Sequence, residues 1–341
     1  MHFECRLLVA FASILSLANA CPMAFDRDLS HNSTNRQAVG DSLHLWPNGI
    51  VPYVIDPKYD ATSKAIILDG IAEFGKYTCI RFVPRTTQSD YIIFTEHSSG
   101  LCWTGKWGER QMEVGRLGGV QYVSLIVAEG CLRKFNVMHE LMHSLGFYHE
   151  QQRDDRDKYI RVFYDNIVEE QHEVSYGIRY TSTGAANNLG TPYDYNSIMH
   201  YHAYSYPKDQ SRPVMAALDG CSRFGNEKQF SKVDVLRINI LYKCPAPYKA
   251  PPPKVTYDDV EVEDNNQYCP SWAAAGECTN NPGYMNENCK KSCGIGSSSD
   301  CPSCKDDHEY CPSWAAAGYC SSNPTYLPYM YTNCRKSCEI C

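Results

Sequence analysis

The sequence predicts an α+β domain with two lobes and a cleft between them, followed by two small disulfide-rich modules. Segments rich in β-branched and aromatic residues, with one amphipathic helix among them, precede a histidine-containing helix, and the residues after that helix show little regular pattern. The chain of 341 residues contains 18 cysteines. Near its end one cysteine-containing stretch occurs twice, which is typical of small modules held together by disulfides.

Residues 1–20 resemble a signal peptide. The apolar run from Leu7 to Ala18 is too short to span a bilayer, and Ala18-Asn19-Ala20 is an A-x-A cleavage site. No other apolar stretch is long enough for a membrane helix, and the formal net charge of -7 argues against a nucleic-acid partner. We therefore expect a secreted, extracellular protein, in which cysteines can form lasting disulfides.

Residues 37–244 are numerous enough to fold around one sizeable core. A helix is predicted at about residues 62–77, because Ile67, Ile71 and Phe74 fall on one face. Four segments are predicted as strands from their β-branched and aromatic content, namely I-V-P-Y-V-I at 50–55, I-R-F-V at 80–83, Y-I-I-F-T at 91–95 and V-Q-Y-V-S-L-I-V at 120–127.

The stretch 139–157 reads H-E-L-M-H-S-L-G-F-Y-H-E-Q-Q-R-D-D-R-D. His139 and His143 are four residues apart, so on an α-helix their imidazoles lie on one face and can bind a single ion. Gly146 follows where a helix can end in a left-handed conformation, which lets His149 supply a third imidazole. Three neutral nitrogens leave the fourth position of a tetrahedral Zn²⁺ open, which is typical of a catalytic site.

This motif, followed by S-I-M-H-Y at 197–201, resembles the astacin family of secreted zinc endopeptidases within the metzincins. The resemblance covers about residues 37–244 and implies a two-lobed catalytic domain with an active-site cleft and one bound Zn²⁺. It implies that Glu140 is the general base and acid. Met199 would form the Met-turn under the histidines. Tyr201 would bind zinc in the resting enzyme and swing away to stabilise the oxyanion.

The resemblance also implies a zymogen, with residues 21–36 as the propeptide. The sequence F-D-R-D-L resembles the motif with which astacin propeptides place an aspartate on zinc, so Asp28 is the candidate blocker, although Arg27 replaces the motif's glycine. Cys21 is a rival blocker, and a solvated acidic loop is the alternative. Asn32 begins the only N-glycosylation sequon of the chain.

Activation of such a zymogen requires an activating protease that cuts near Arg36, which would leave Gln37 or Ala38 as the new terminus. In the family the freed ammonium is buried against the glutamate that follows the third histidine. In this sequence that residue is Glu150, so a salt bridge between the amino terminus and Glu150 is expected.

Residues 245–265 begin P-A-P-Y-K-A-P-P-P-K, and this proline density favours an extended, semi-rigid spacer over packing. Beyond it, Y-C-P-S-W-A-A-A-G occurs once in residues 266–301 and once in residues 304–341. Segments this short cannot bury enough apolar surface without cross-links. Both segments resemble ShK toxin-like (ShKT) modules, and the first module lacks one of the usual three bridges.

The two resemblances imply a disulfide scheme. Cys221 and Cys301 have no family partner, and we expect them to pair with each other, which would leave no unpaired cysteine after residue 36. The implied family pairs are Cys79-Cys244 and Cys102-Cys131 in the first domain, Cys269-Cys289 and Cys278-Cys293 in the first module, and Cys304-Cys341, Cys311-Cys334 and Cys320-Cys338 in the second.

The sequence thus predicts a secreted zinc-dependent endopeptidase that hydrolyses peptide bonds of extracellular proteins, with ShKT modules for substrate or matrix attachment. The alternative is a non-catalytic secreted protein that binds partners or modulates channels through these modules. Channel-blocking ShK members use a Lys-Tyr pair, whereas the matching residues here are Gly283-Tyr284 and Thr325-Tyr326. Without the lysine there is no ammonium to enter a cation pore.

Overall fold

The computed structural model describes residues 44–96, 102–106, 114–178, 188–210, 212–218, 224–253, 264, 266–281, 284–285, 288–289, 291–293, 304–321 and 325–340. The predicted signal peptide and propeptide, including Asp28 and Asn32, lie outside these ranges, as do Cys221, Cys301 and Cys341. No helix within the described ranges is both long and apolar enough to cross a membrane.

The first lobe is built on a five-stranded sheet, which confirms the predicted α+β class. Its strands are β1 (Ile50–Ile55), β2 (Arg81–Pro84), β3 (Tyr91–Thr95), β4 (Trp103–Gly105) and β5 (Val120–Ser124). Their spatial order is β2-β1-β3-β5-β4, and all neighbours run parallel except β4, which is antiparallel to β5. All four predicted segments form strands, although the last one ends at Ser124 instead of residue 127.

Two helices cover this sheet. Helix α1 (Ala61–Tyr77) begins where the Asp60 carboxylate accepts a hydrogen bond from the Ser63 N–H, and it buries Ile67 and Phe74 completely. Helix α2 (Lys134–Leu145) is buried from Phe135 to Leu145. The two helices approach closely at Gly70, where an added Cβ would lie 2.7 Å from the Val137 Cγ1. Together with the sheet they enclose the main core.

The second lobe contains little regular structure, as the sequence pattern predicts. It consists of the antiparallel strands β6 (Ile160–Val162) and β7 (Met215–Ala217), the short helix α3 (His172–Tyr176) and several 3₁₀ turns. Its core is rich in tyrosine, with Tyr176, Tyr193, Tyr195 and Tyr201 all buried. Helix α4 (Lys232–Leu241) follows, and a capping box between Ser231 and Asp234 fixes its first turn.

The repeated modules contain short helices, α5 (Cys269–Ala274) and α6 (Glu277–Asn280) in the first, and α7 (Cys311–Ala316) and α8 (Leu327–Asn333) in the second. The second module packs on α4. Val233 and Leu236 of α4 share one buried cluster with Leu327, Met330 and Tyr331, among others of the module. The Lys232 ammonium donates a hydrogen bond to the Cys338 carbonyl at 3.1 Å.

The start of the proline-rich segment also packs on the first domain, which differs from the extended spacer expected from its composition. Tyr248 is half-buried against the cluster between α4 and the second module. The Lys249 ammonium donates to the carbonyl oxygens of Gly75 and Thr78 at the end of α1, the latter at 3.0 Å. A lysine at this position also suits the negative end of the helix dipole. Packing of the Tyr248 ring and hydrogen bonds from the Lys249 ammonium thus hold this proline-rich segment against the first domain.

Six disulfides lie within the described residues, and all six are pairs that the family resemblances imply: Cys79–Cys244, Cys102–Cys131, Cys269–Cys289, Cys278–Cys293, Cys311–Cys334 and Cys320–Cys338. Cys304 is also disulfide-bonded. The expected pair of Cys221 with Cys301 falls outside the described residues and stays a prediction.

Candidate active site

The three histidines of the motif converge at the end of helix α2. His139 and His143 occupy successive turns of this buried helix. Gly146 then adopts a left-handed conformation with φ of 111°, and the Phe147 N–H bonds back to the Met142 carbonyl. The chain turns there and brings His149 to the other two. The Gly146 turn predicted from the sequence is therefore the feature that completes the set.

The histidine Nε2 atoms point at one another. The Nε2 atom of His139 lies 3.1 Å from that of His143 and 3.2 Å from that of His149. Ligand atoms about 2.0–2.1 Å from a tetrahedral zinc are about 3.3 Å apart, so these spacings suit such an ion. The same three residues form a buried group that could hold a metal within the described part of the chain. Three lone pairs facing one another without a cation would repel.

Burial keeps the three imidazoles neutral, and two backbone carbonyls fix the tautomer of His139 and His143. The Nδ1 atom of His139 lies 2.8 Å from the Ile198 carbonyl, and that of His143 lies 2.7 Å from the Phe147 carbonyl. A carbonyl only accepts, so each Nδ1 carries the hydrogen and each Nε2 is free to bind metal. Burial lowers the pKa of His139 to about 4, and burial also lowers the pKa of His143 and of His149. The donor set therefore fits the Zn²⁺ predicted from the sequence.

Glu140 lies beside the ligands and is 3% exposed. Burial raises its pKa to about 7, and a hydrogen bond from the Thr104 hydroxyl acts in the opposite direction. A carboxyl group with a pKa near 7 can both accept and return a proton at neutral pH. Sequence reasoning identified Glu140 but missed Thr104, because a single threonine in a three-residue strand gives no signal.

Met199 and Tyr201 lie on and just after a turn whose Ile198 carbonyl contacts His139. Met199 is buried in the main core, and its carbonyl accepts a hydrogen bond from the Glu150 N–H at 2.9 Å. The Tyr201 ring centroid is 4.3 Å from that of His149. The roles that the family resemblance implies for Met199 and Tyr201 stay predictions.

The turn is held in place by helix α4. The Asp234 carboxylate accepts hydrogen bonds from the Ser197 hydroxyl at 2.6 Å and from the Ile198 N–H at 2.9 Å. Because the Ile198 carbonyl in turn accepts from His139, α4 is connected to the metal ligands through two hydrogen bonds. The sequence pattern gave no indication of this connection, since Asp234 otherwise reads as a helix-capping residue.

Glu150 is fully buried, and its carboxylate contacts two guanidinium groups. Arg237 of α4 donates to both carboxylate oxygens, at 2.5 and 2.8 Å, and Arg153 donates at 3.2 Å. Burial raises the pKa of Glu150, but the charges of Arg237 and Arg153 outweigh it and bring the pKa to about 2. The carboxylate therefore has cationic partners already. The amino terminus expected to join it lies outside the described residues.

Comparison with known proteins agrees with the resemblances seen in the sequence. The family model described as "Astacin (Peptidase family M12A)" matches residues 38–243, and one described as "ShK domain-like" matches residues 262–295 and 303–341. "Zinc metalloproteinase nas-15" of Caenorhabditis elegans is 33% identical over 291 residues, which cover 76% of this chain and 48% of that protein. "Astacin-like metalloendopeptidase" of Gallus gallus is 36% identical over 216 residues, 62% of this chain and 49% of that protein.

Among solved structures, high choriolytic enzyme 1, a hatching-enzyme zinc protease from Oryzias latipes, matches with a TM-score of 0.53 and 33% identity. The match covers 63% of this chain and all of that one. The present chain spans between 48% and 65% of the length of the first curated relatives that it matches.

Proposed function

The chain belongs to the astacin family, peptidase family M12A, and on this premise we propose that it is a zinc-dependent endopeptidase acting on extracellular proteins. One observation carries the proposal. Three buried, neutral imidazoles direct their Nε2 atoms at a common point, and a glutamate with a pKa near 7 directly follows the first of these histidines on helix α2. A purely structural zinc site would have four protein ligands and no need of such a base.

In the proposed reaction, His139, His143 and His149 would hold the ion. A bound Zn²⁺ would supply Lewis-acid chemistry that polarises the scissile carbonyl and acidifies water. Glu140 takes the proton of the attacking water and passes it to the leaving amine. Tyr201 would donate a hydrogen bond to the developing oxyanion, and the packing of its ring against His149 supports this role.

We further propose that the protein is secreted as a zymogen. The described disulfides are typical of an oxidising compartment, which supports export through the predicted signal peptide 1–20. Asp28 would block the zinc until an activating protease cuts near Arg36. Asn32, in the same segment, would carry a glycan that leaves with the propeptide.

The ShKT modules are proposed to attach the enzyme to its substrate or to a matrix. Each module exposes tyrosines, Tyr268 and Tyr284 in the first and Tyr310 and Tyr326 in the second. Exposed aromatic groups at equivalent positions of two modules suit repeated contacts with a partner. The alternative, a non-catalytic binding protein, gives the buried Glu140 no role.

The test is hydrolysis of a mixed peptide library by the full chain after cleavage near Arg36, read by mass spectrometry. We expect cleavage by the parent, loss of cleavage in Glu140→Ala and after chelation, and recovery when Zn²⁺ is returned to the chelated protein. Glu170→Ala removes an exposed glutamate and serves as the matched control, with unchanged activity. A parent that holds zinc and has the new terminus, yet cleaves nothing, would favour the alternative.

A further inference from the structure

We propose that Thr104 is a positioning residue whose hydroxyl holds the Glu140 carboxylate in the orientation needed for proton transfer. This inference rests on the peptidase function proposed above. It starts from one contact. The Thr104 Oγ1 lies 2.8 Å from Oε2 of Glu140 and 3.0 Å from the backbone carbonyl oxygen of the same residue.

The contact is buried and has no competitor in the described part of the chain. Thr104 is 7% exposed and Glu140 is 3% exposed. Among the described residues, Thr104 is the only one whose side chain hydrogen-bonds the Glu140 carboxylate. A carboxylate on a flexible two-carbon stem has several rotamers, and this hydrogen bond favours the one in which Oε2 faces Thr104. Among the described side chains, a single hydroxyl thus provides the polar contact that orients the base.

The fold places Thr104 firmly. It is the middle residue of β4 and pairs with Val123 of β5, and its buried side chain faces helix α2. Two residues earlier, Cys102 is bonded to Cys131, which lies in the loop that leads into α2. The segment that leads into the histidine-bearing helix is thus covalently joined to the chain two residues before Thr104. A shift of Thr104 away from Glu140 would require breaking the strand pairing.

The geometry suits both forms of Glu140 during a proton transfer. A hydroxyl has one hydrogen, and here two acceptors are within reach of it. When the carboxylate is ionised, Thr104 donates to Oε2. When Glu140 carries the proton taken from water, that proton is on Oε1, and Oε2 still accepts from the Thr104 hydroxyl, so Oε1 stays free to pass the proton to the leaving amine. The hydroxyl neither gains nor loses a proton, and the carboxyl group stays anchored throughout.

Two comparisons distinguish a positioning role of the Thr104 hydroxyl from simple packing of a buried threonine. One compares Thr104→Val with the parent, and the other compares Thr104→Ser with Thr104→Ala. Thr104→Val exchanges the hydroxyl for a methyl group of similar size. Thr104→Ser and Thr104→Ala both lack the methyl group, and they differ from each other only in the hydroxyl. If the variant with valine does not fold, the pair of serine and alanine carries the comparison.

The measurements are kcat and KM for one cleaved peptide, zinc content by elemental analysis and thermal unfolding, all on the activated full chain. We expect kcat to fall about 10- to 100-fold in Thr104→Val and Thr104→Ala, as for a misplaced catalytic group, and to stay within about threefold of the parent in Thr104→Ser. KM and zinc content should stay near those of the parent in all three variants, because no ligand is touched.

Several outcomes would overturn the inference. An unchanged kcat in Thr104→Val and Thr104→Ala would show that the hydroxyl is dispensable. Equal losses of kcat in Thr104→Ser and Thr104→Ala would assign the effect to the methyl group and thus to packing. Loss of zinc, or a lowered thermal stability that accounts for the lost activity, would assign the effect to the structure of the site and not to the orientation of Glu140. An inactive parent would instead refute the peptidase function, and the inference with it, so the two failures are distinguishable.

Discussion

The carboxylate of Glu150 is buried against two guanidinium groups, and this contact links the stability of the fold to pH. Its pKa is about 2 in the folded chain, compared with an ordinary value of 4.5. The folded pKa is the lower one, so the stabilisation is fully present above about pH 4.5 and is lost as pH falls toward 2.

We expect Glu150→Gln to lower the free energy of unfolding at pH 7 by about 3–5 kcal/mol, since Arg237 and Arg153 lose the buried carboxylate that both contact, although Arg153 keeps its ion pair with Asp155. The difference between parent and variant should stay constant above pH 4.5 and shrink below it. Urea unfolding at several pH values measures it. Asp165→Asn, which removes half of an exposed ion pair with Arg212, should change little. A difference that grows in acid would contradict the assignment.

At the residue scale, the sequence predicts contacts between residues that are close together in the chain. His139, His143 and His149 lie within eleven positions and follow a helix and a turn, so their convergence could be foreseen. Thr104 and Arg237 could not, because their partners Glu140 and Glu150 are 36 and 87 residues away in the chain. Such contacts depend on how whole elements pack, which residue spacing does not encode.

At the scale of elements, the approach of α1 to α2 gives a second test. Gly70→Ala would place a Cβ 2.7 Å from the Val137 side chain, so α1 must move or Val137 must change rotamer. We expect the free energy of unfolding to fall by about 1–3 kcal/mol, the usual cost of overpacking.

The same helix supplies the control. Gly75→Ala meets nothing within 4 Å, and alanine is the better helix former, so this variant should gain about 0.4–1 kcal/mol. Thermal or urea unfolding of both variants gives the comparison. Equal effects at the two positions would show that the close approach at Gly70 is not what constrains α1.

The sequence predicted the long elements with a regular pattern of apolar residues well, and it missed the short or irregular ones. β1 and β3 have the predicted bounds, and α1 begins one residue before the predicted start. β4 was missed because three residues show no periodicity, although it carries Thr104. Helix α4 was missed for a different reason. It is buried almost all round, with Asp234 and Arg237 directed inward, so it lacks the polar face that marks an amphipathic helix.

At the scale of the whole molecule, docking of the second module on α4 predicts that the tail stays attached without a covalent link. A protease site inserted in residues 254–263, in a chain carrying Cys221→Ser and Cys301→Ser, allows the test. After cutting, we expect catalytic domain and tail to elute together in size-exclusion chromatography, because the cluster of Val233 and Leu236 with the module remains buried.

Separation after the cut would contradict the docking, and the chain with both cysteines intact is the control. If it alone stays together, the expected disulfide between Cys221 and Cys301 holds the tail instead. Either result reports on the arrangement of domains.

Composition and the internal repeat predicted the modules themselves, but they could not predict where a module packs. The apolar residues of α4 could equally well have belonged to the core of the first domain.

The contact between α4 and the second module also bears on how the protein can be handled in the laboratory. A shortened chain ending at Cys244, the last cysteine of the peptidase domain, would leave Val233 and Leu236 in contact with water. Uncovered apolar side chains on one helix favour self-association, so such a fragment would be prone to aggregate on concentration. Poor yields of an isolated peptidase domain would then reflect a missing cover over α4, and restoring the tail or placing polar residues on that face would be the remedy.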